Sequence, residues 1–109
     1  MAWTEAANDG ALNGAAAVTV VAAPAAATRR IVRSITVQNR DTVSVILTLR
    51  YVNGASTRLL WRGTLAVGDC LLFDETVVLD TVNKSIAAIL DGAITTTNPD
   101  FTAAYGDAT

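Results

Sequence analysis

RRIVRSITVQNRDTVSVILTLRYVNGASTRLLW, Arg29 to Trp61, is the stretch whose reading decides the fold. Val43, Val45, Leu47, Leu49 and Tyr51 alternate with Ser44, Ile46, Thr48, Arg50 and Val52. Successive side chains of a strand point to opposite faces, so this period of two lays one apolar stripe along one face. A helix would scatter the same five residues around its circumference. Asn53-Gly54 then predicts a tight hairpin of type I′, because that turn needs positive φ at both central residues. The return strand runs from Ser56 to about Arg62, with Thr57, Leu59 and Trp61 on one face and Arg58, Leu60 and Arg62 on the other. Upstream, Ile31, Ile35 and Val37 share a face opposite Val32, Ser34, Thr36 and Gln38, with Arg33 near one end. Asn39-Arg40-Asp41-Thr42 makes the turn into the long strand, since Asn and Asp side chains bond their own backbone.

Outward from this block the chain continues in short strands. Ala17 to Ala23 predicts a strand stopped by Pro24, which cannot donate to a ladder. Leu65 to Asp69 is a bend, Cys70 to Phe73 and Thr76 to Leu79 are strand-like, and Phe101, Ala103 and Tyr105 mark a last strand. Lys84 to Leu90, KSIAAIL, has the length of either two helical turns or a strand. The turn residues at Asn83 and Asp91-Gly92 that bound it favour the strand. Residues 1 to 16 hold no sustained period and are read as a flexible N-terminal arm before a single domain at 17 to 109. Trp3 on that arm either folds back on the domain, docks on a neighbour or stays with a disordered segment. The expectation is an all-β protein, an antiparallel β-sandwich of jelly-roll or immunoglobulin-like type with about seven or eight short strands.

Composition narrows the function classes. The chain of 109 residues builds one core. No apolar run approaches the ~20 residues of a membrane span, so a soluble protein with no membrane partner is expected. Glu5 and Asp9 stand where a secretory leader carries positive charge, which argues against such a leader. There is no histidine, and Cys70 is the single cysteine. The usual general base and the commonest metal ligand are therefore missing, and Cys70, in an apolar run, is read as a small buried side chain. Asp69, Asp74, Glu75 and Asp80 match no calcium-loop spacing and are read as solvated turn carboxylates. No catalytic residue, cofactor or metal site is expected, and the protein is read as non-enzymatic.

Charge is segregated along the chain. Residues 1 to 68 sum to +4 and residues 69 to 109 to −6, within a net charge of −2. All seven arginines precede residue 63. A nucleic-acid surface interleaves cations with exposed aromatics, whereas Tyr51 and Trp61 fall on core-like faces, so no nucleic-acid partner is expected. The candidate residues for protein contacts are Trp3, Arg29, Arg30, Arg33, Arg58 and Arg62, in a surface that pairs within the chain, between identical subunits or with a lattice.

The run TRRIVRSITVQNRDTVSVILTLRYVNG, followed after one strand by LAVGDCLLFDETVVLDTVNKSIAAIL, resembles small bacteriophage virion structural proteins. The matching positions are Ser34-Ile35, Asn39, Val43 to Tyr51, Leu65 to Asp69 and Val78-Leu79, within residues 24 to 90. The resemblance implies a virion localisation with assembly in the host cytoplasm, other virion proteins as partners and a homo-oligomer. It implies a capsid decoration or minor head protein, or else a tail, neck, baseplate or fibre component. A carbohydrate-binding sandwich is the rival of another class, and it requires Trp3, Trp61 and Tyr105 to form one exposed platform.

Overall fold

In a computed structural model, described here for residues 2–109, nine strands form two antiparallel sheets and no helix occurs among the described residues. The strands are β1 (Trp3–Ala11), β2 (Val18–Val21), β3 (Arg29–Gln38), β4 (Val45–Asn53), β5 (Ser56–Leu65), β6 (Cys70–Phe73), β7 (Val77–Leu79), β8 (Lys84–Leu90) and β9 (Asp100–Ala108). One sheet has the order β1-β9-β3-β6, with β7 also on β3, and the other has the order β2-β8-β4-β5. β6 and β7 lie end to end along β3, opposite Ile35 to Gln38 and Arg30 to Val32. Taken as one interrupted strand, they leave eight strands whose pairing is nested: β1 with β9, β2 with β8, β3 with β6 and β7, and β4 with β5. Such nesting is a single long hairpin rolled up so that successive strand pairs fall in opposite sheets. That is a jelly roll, which selects between the two sandwich types expected.

Residues expected as a flexible arm are instead an edge strand. Trp3 to Ala11 pairs residue by residue with β9, from Trp3 opposite Ala108 to Ala11 opposite Asp100. The segment has little apolar content of its own, so its order comes from the ladder that β9 offers. KSIAAIL is the strand β8, with Ile86, Ala88 and Leu90 buried. The hairpin between β4 and β5 is displaced by one residue from the expected turn: Asn53 pairs with Ser56, so Gly54 and Ala55 are the central residues. Only Gly54 has positive φ, at 61°, the pattern of a type II′ turn with Gly first.

Two bulges re-aim the strands. β3 skips Arg33 in its pairing with β9, so Val32 before the bulge and Ile35 and Val37 after it all face the core. The simple alternation had placed Val32 on the opposite face. β5 likewise skips Leu60 in its pairing with β4, where Leu49 stands opposite Trp61 and Arg50 opposite Leu59. Trp61 therefore packs against the core while Leu59, grouped with it by alternation, is 65% exposed. Each extra residue costs one ladder pair and flips the parity of all that follows.

The core lies between the sheets. β4 and β8 supply Leu47, Leu49, Ile86 and Leu90, β3 and β9 supply Val32, Ile35, Val37, Phe101 and Ala103, and Leu12 closes it from a connection. Cys70 is exposed, contrary to expectation. It stands opposite exposed Gln38 at the start of an edge strand, so parity turns Leu71 and Phe73 inward instead.

The register also defines two ends. The hairpin end carries Gly54-Ala55, the connections 22–28 and 80–83, and the outer residues of β1, β3 and β9. The opposite end, here the Asp41 end, carries the connections 12–17, 39–44, 66–69 and 91–99. The molecule is elongated, 46 × 27 × 19 Å.

Candidate functional site

The six candidate contact residues separate into three groups. Arg30 points inward and is consumed by the fold. Its guanidinium forms a two-pronged pair with Asp107, Nε to Oδ1 at 2.8 Å and Nη2 to Oδ2 at 3.0 Å. Nη1 donates to the Ala22 carbonyl at 2.7 Å, and the group lies 4.3 Å from the Tyr105 ring centre. The hydrogen bond with Asp107 raises the Arg30 pKa and, reciprocally, lowers that of Asp107. With its side chain only 13% exposed, Arg30 ties β3 to β9 and to the chain leaving β2. It offers nothing to a partner. We expect Arg30→Ala to cost about 2 kcal/mol, because a half-buried carboxylate and a carbonyl lose their donor. Arg33→Ala should cost less than about 1 kcal/mol. Denaturant midpoints of the two variants check the contrast, and equal losses would refute it.

Arg62 is also paired within the chain, through Nη2 to Asp91 Oδ2 at 2.6 Å, and Arg40 binds Asp100 at 2.9 Å. Lys84 binds Asp80 at 2.7 Å, and the bond lowers the Asp80 pKa and raises that of Lys84. The segregation of charge in the sequence is thus largely cancelled in space: β3 lies beside β9, and arginines of the first half meet aspartates of the second.

Trp3, Arg29, Arg33 and Arg58 form the third group, gathered toward the hairpin end. Trp3 and Arg29 both stand opposite Ala108, one on each side of β9. The Trp3 ring lies on Gly106, where a Cβ would occupy the ring's space, and the Arg33 guanidinium sits 5.2 Å from the ring centre. Trp3 therefore folds back on its own domain. Arg58, opposite Tyr51, is exposed on the other sheet. Among the described residues these three arginines have no carboxylate within salt-bridge distance.

Two features escaped the sequence. One is a polar hub at the opposite end. Asn39 and Asp41 are buried, at 1% and 2% exposure. Asn39 Nδ2 reaches the carbonyls of Val43, Leu65 and Ala66 at 3.0 to 3.1 Å, and its Oδ1 accepts the Asp41 amide at 2.9 Å. The Asp41 carboxylate accepts the amides of Thr95, Thr96 and Thr42, each at 2.8 Å, and of Thr97 at 3.3 Å. Those bonds, that of Thr95 foremost, hold its pKa down at about 2 against burial, which pushes the other way. The available signal was the pairing of an Asn-x-Asp turn with a Thr-Thr-Thr run. The other feature is exposed apolar surface: Leu59 and Leu72 on edge strands, and Val67 and Val82 at the tips of connections, are 55–65% exposed.

Concave features are shallow. A hollow of about 320 Å³ beside Asp41 is lined by Val43, Val45, Ile46 and Asp91. One of about 390 Å³ at the hairpin end is lined by Ala27, Thr28, Arg29, Asp80 and Ala108. Among the described residues no three His, Cys, Asp or Glu side chains gather as a metal site would require. Trp3 faces outward on one sheet, Tyr105 lies under Arg30, and Trp61 packs on the core from the other sheet. The three rings form no common platform.

No family model matches the sequence, nor does any curated relative. Solved structures that share the fold include two of different origin. One comes from Bacillus endospore appendages, described as a novel family of disulfide-linked pili; it has a TM-score of 0.56 at 14% identity, over 96% of this chain and 85% of the other. The second is a chain of the infectious bursal disease virus Gx strain, with a TM-score of 0.52 at 16% identity, over 94% of this chain. This chain spans only 30% of that viral protein. At these identities the likeness is one of fold.

Proposed function

We propose that this chain is a non-enzymatic structural subunit of a phage virion, attached to the capsid lattice as a decoration or minor head protein. The observation that carries the reading is the nested eight-strand jelly roll, an architecture used by viral capsid domains. It fills nearly the whole chain. Its exposed leucines and valines lie on edges and end connections, where they are free to meet a neighbouring subunit. A tail, neck, baseplate or fibre part of the same fold is the alternative within the virion. Assembly in the host cytoplasm follows from either.

A second reading, a subunit of a pilus-like appendage, is favoured by one finding. The pilus protein is matched over 85% of its length, whereas the viral chain is matched over a third or less. Imaging of purified particles carrying labelled protein tests the main reading. Label at regular positions on the head is the expected result; particles that contain none of the protein would overturn it.

A further inference from the structure

The connection between β5 and β6 displays an apolar tip on a rigid base. Ala66 to Asp69 closes as a turn, the Asp69 amide donating to the Ala66 carbonyl at 2.9 Å, with Gly68 at φ 82°. That is a type II turn, with Gly at the position requiring positive φ and Val67 at the tip. The turn is pinned from behind. Gln38 Nε2 donates to the Gly68 carbonyl, Asn39 N to the Asp69 carbonyl, and Asn39 Nδ2 to the Ala66 carbonyl. Val67 is nevertheless 58% exposed, with exposed Asp69 two residues on. A valine held this firmly in water is ordered before any partner arrives, so docking it loses little entropy.

The far end of the molecule offers a hollow and an excess of the opposite charge. The hollow there is lined by Ala27, Thr28, Ala108 and Thr109 together with Arg29, which has no carboxylate partner among the described residues, and Asp80, whose charge is held by Lys84. With internal ion pairs set aside, the hairpin end retains Arg29, Arg33, Arg50 and Arg58 against Glu5, a net of +3. The Asp41 end retains Asp9, Asp69 and the amide-bound Asp41 against no unpaired cation, a net of −3. Asp74 and Glu75, midway along one side, complete the total of −2. The elongated molecule is therefore an electrostatic dipole along its 46 Å axis.

We infer that copies of this chain associate head to tail, the Val67 turn of one seating in the Arg29-rimmed hollow of the next, with Asp69 facing Arg29. A knob and a hollow on opposite ends make a heterologous contact, which extends into rings or filaments rather than closing as a two-fold dimer. Exposed ion pairs raise affinity only modestly, so the charges set polarity and on-rate while Val67 supplies the anchor. The inference rests on the chain being an assembly subunit and specifies how copies meet.

Val67→Lys and Arg29→Glu block opposite ends at exposed positions. Sedimentation velocity of the whole chain is expected to show self-association that weakens by about tenfold or more between low and high salt. Each variant alone should remain monomeric with an unchanged melting curve. Mixed in equal amounts, they should form a one-to-one complex that grows no further, because each retains the end the other has lost. Either variant associating like the unmodified chain, or a mixture that stays monomeric, overturns the contact. Unmodified protein that decorates particles yet is monomeric at every salt concentration also overturns it, and leaves the subunit reading standing. Self-association without particle binding supports the contact and counts against the virion.

Discussion

Asp41→Asn is expected to lower the thermal midpoint by about 10 °C or more, far beyond the effect of removing any surface carboxylate. The side chain is nearly the same size, so packing is conserved and the loss isolates hydrogen bonding. A carboxylate presents two acceptor oxygens, and here both are filled: Oδ1 by Thr42, Thr96 and Thr97, and Oδ2 by Thr95. A carboxamide presents one. Whichever way it is turned, an N–H of the amide meets an N–H of the backbone, and a donor in the 91–99 connection is left without an acceptor. Hydrogen exchange at Thr95 to Thr97 should accelerate in the variant, which differential scanning calorimetry and exchange measurements together would establish. An unchanged midpoint would mean that water satisfies these amides equally well.

The same residue sets a pH dependence of defined sign. The folded state depresses the Asp41 pKa from 3.8 to about 2. A group whose pKa is lowered by folding contributes its full stabilisation above the unfolded value and loses it as the pH falls toward the folded one. Stability should therefore hold down to about pH 4 and decline between there and pH 2. Asp107 and Asp80, also depressed by their cationic partners, add to the decline in the same direction. In Asp41→Asn the slope over that interval should be shallower, because one titrating group has gone.

How much of this was legible in the sequence depends on whether a feature is local or arises from pairing. The alternation in β4, the inward faces of β8 and β9, and the turn at residues 39–42 are local and could be read directly. The bulges at Arg33 and Leu60 could not. Neither carries the glycine or proline that punctuates a chain, and each is a backbone accommodation to a neighbouring strand. β1 was missed for a related reason: WTEAANDGA has weak strand character, and β9 imposes its conformation. The roles of the arginines diverge for the same cause. Arg30 and Arg33 looked equivalent in RRIVRS, but the nested strand order puts β3 against β9, so Arg30 meets Asp107 while the bulge throws Arg33 outward onto Trp3. Charge separated along the sequence became charge paired across strands, and what survives at the two ends is a different separation that only the register reveals.

The second large effect is expected at Leu49, and its value lies in contrast with Leu59. Both are leucines in adjacent strands of one hairpin, and alternation alone makes them equally good core residues. Leu49 is fully buried at the centre of β4, with β8 on one side and β5 on the other. Leu49→Ala should cost about 3–4 kcal/mol, combining the lost apolar burial with the cavity left in a sheet that cannot collapse around it. That is a large fraction of the 5–15 kcal/mol typical of a domain this size. Leu59 lies past the Leu60 bulge on the outer face, opposite Arg50. Leu59→Ala should change stability by less than about 0.5 kcal/mol, so any effect it has on assembly is a surface effect, free of folding. If urea titrations gave the two variants similar losses, Leu59 would have to face the core, the bulge at Leu60 would be misplaced, and Arg58 would have to leave the face it shares with Tyr51.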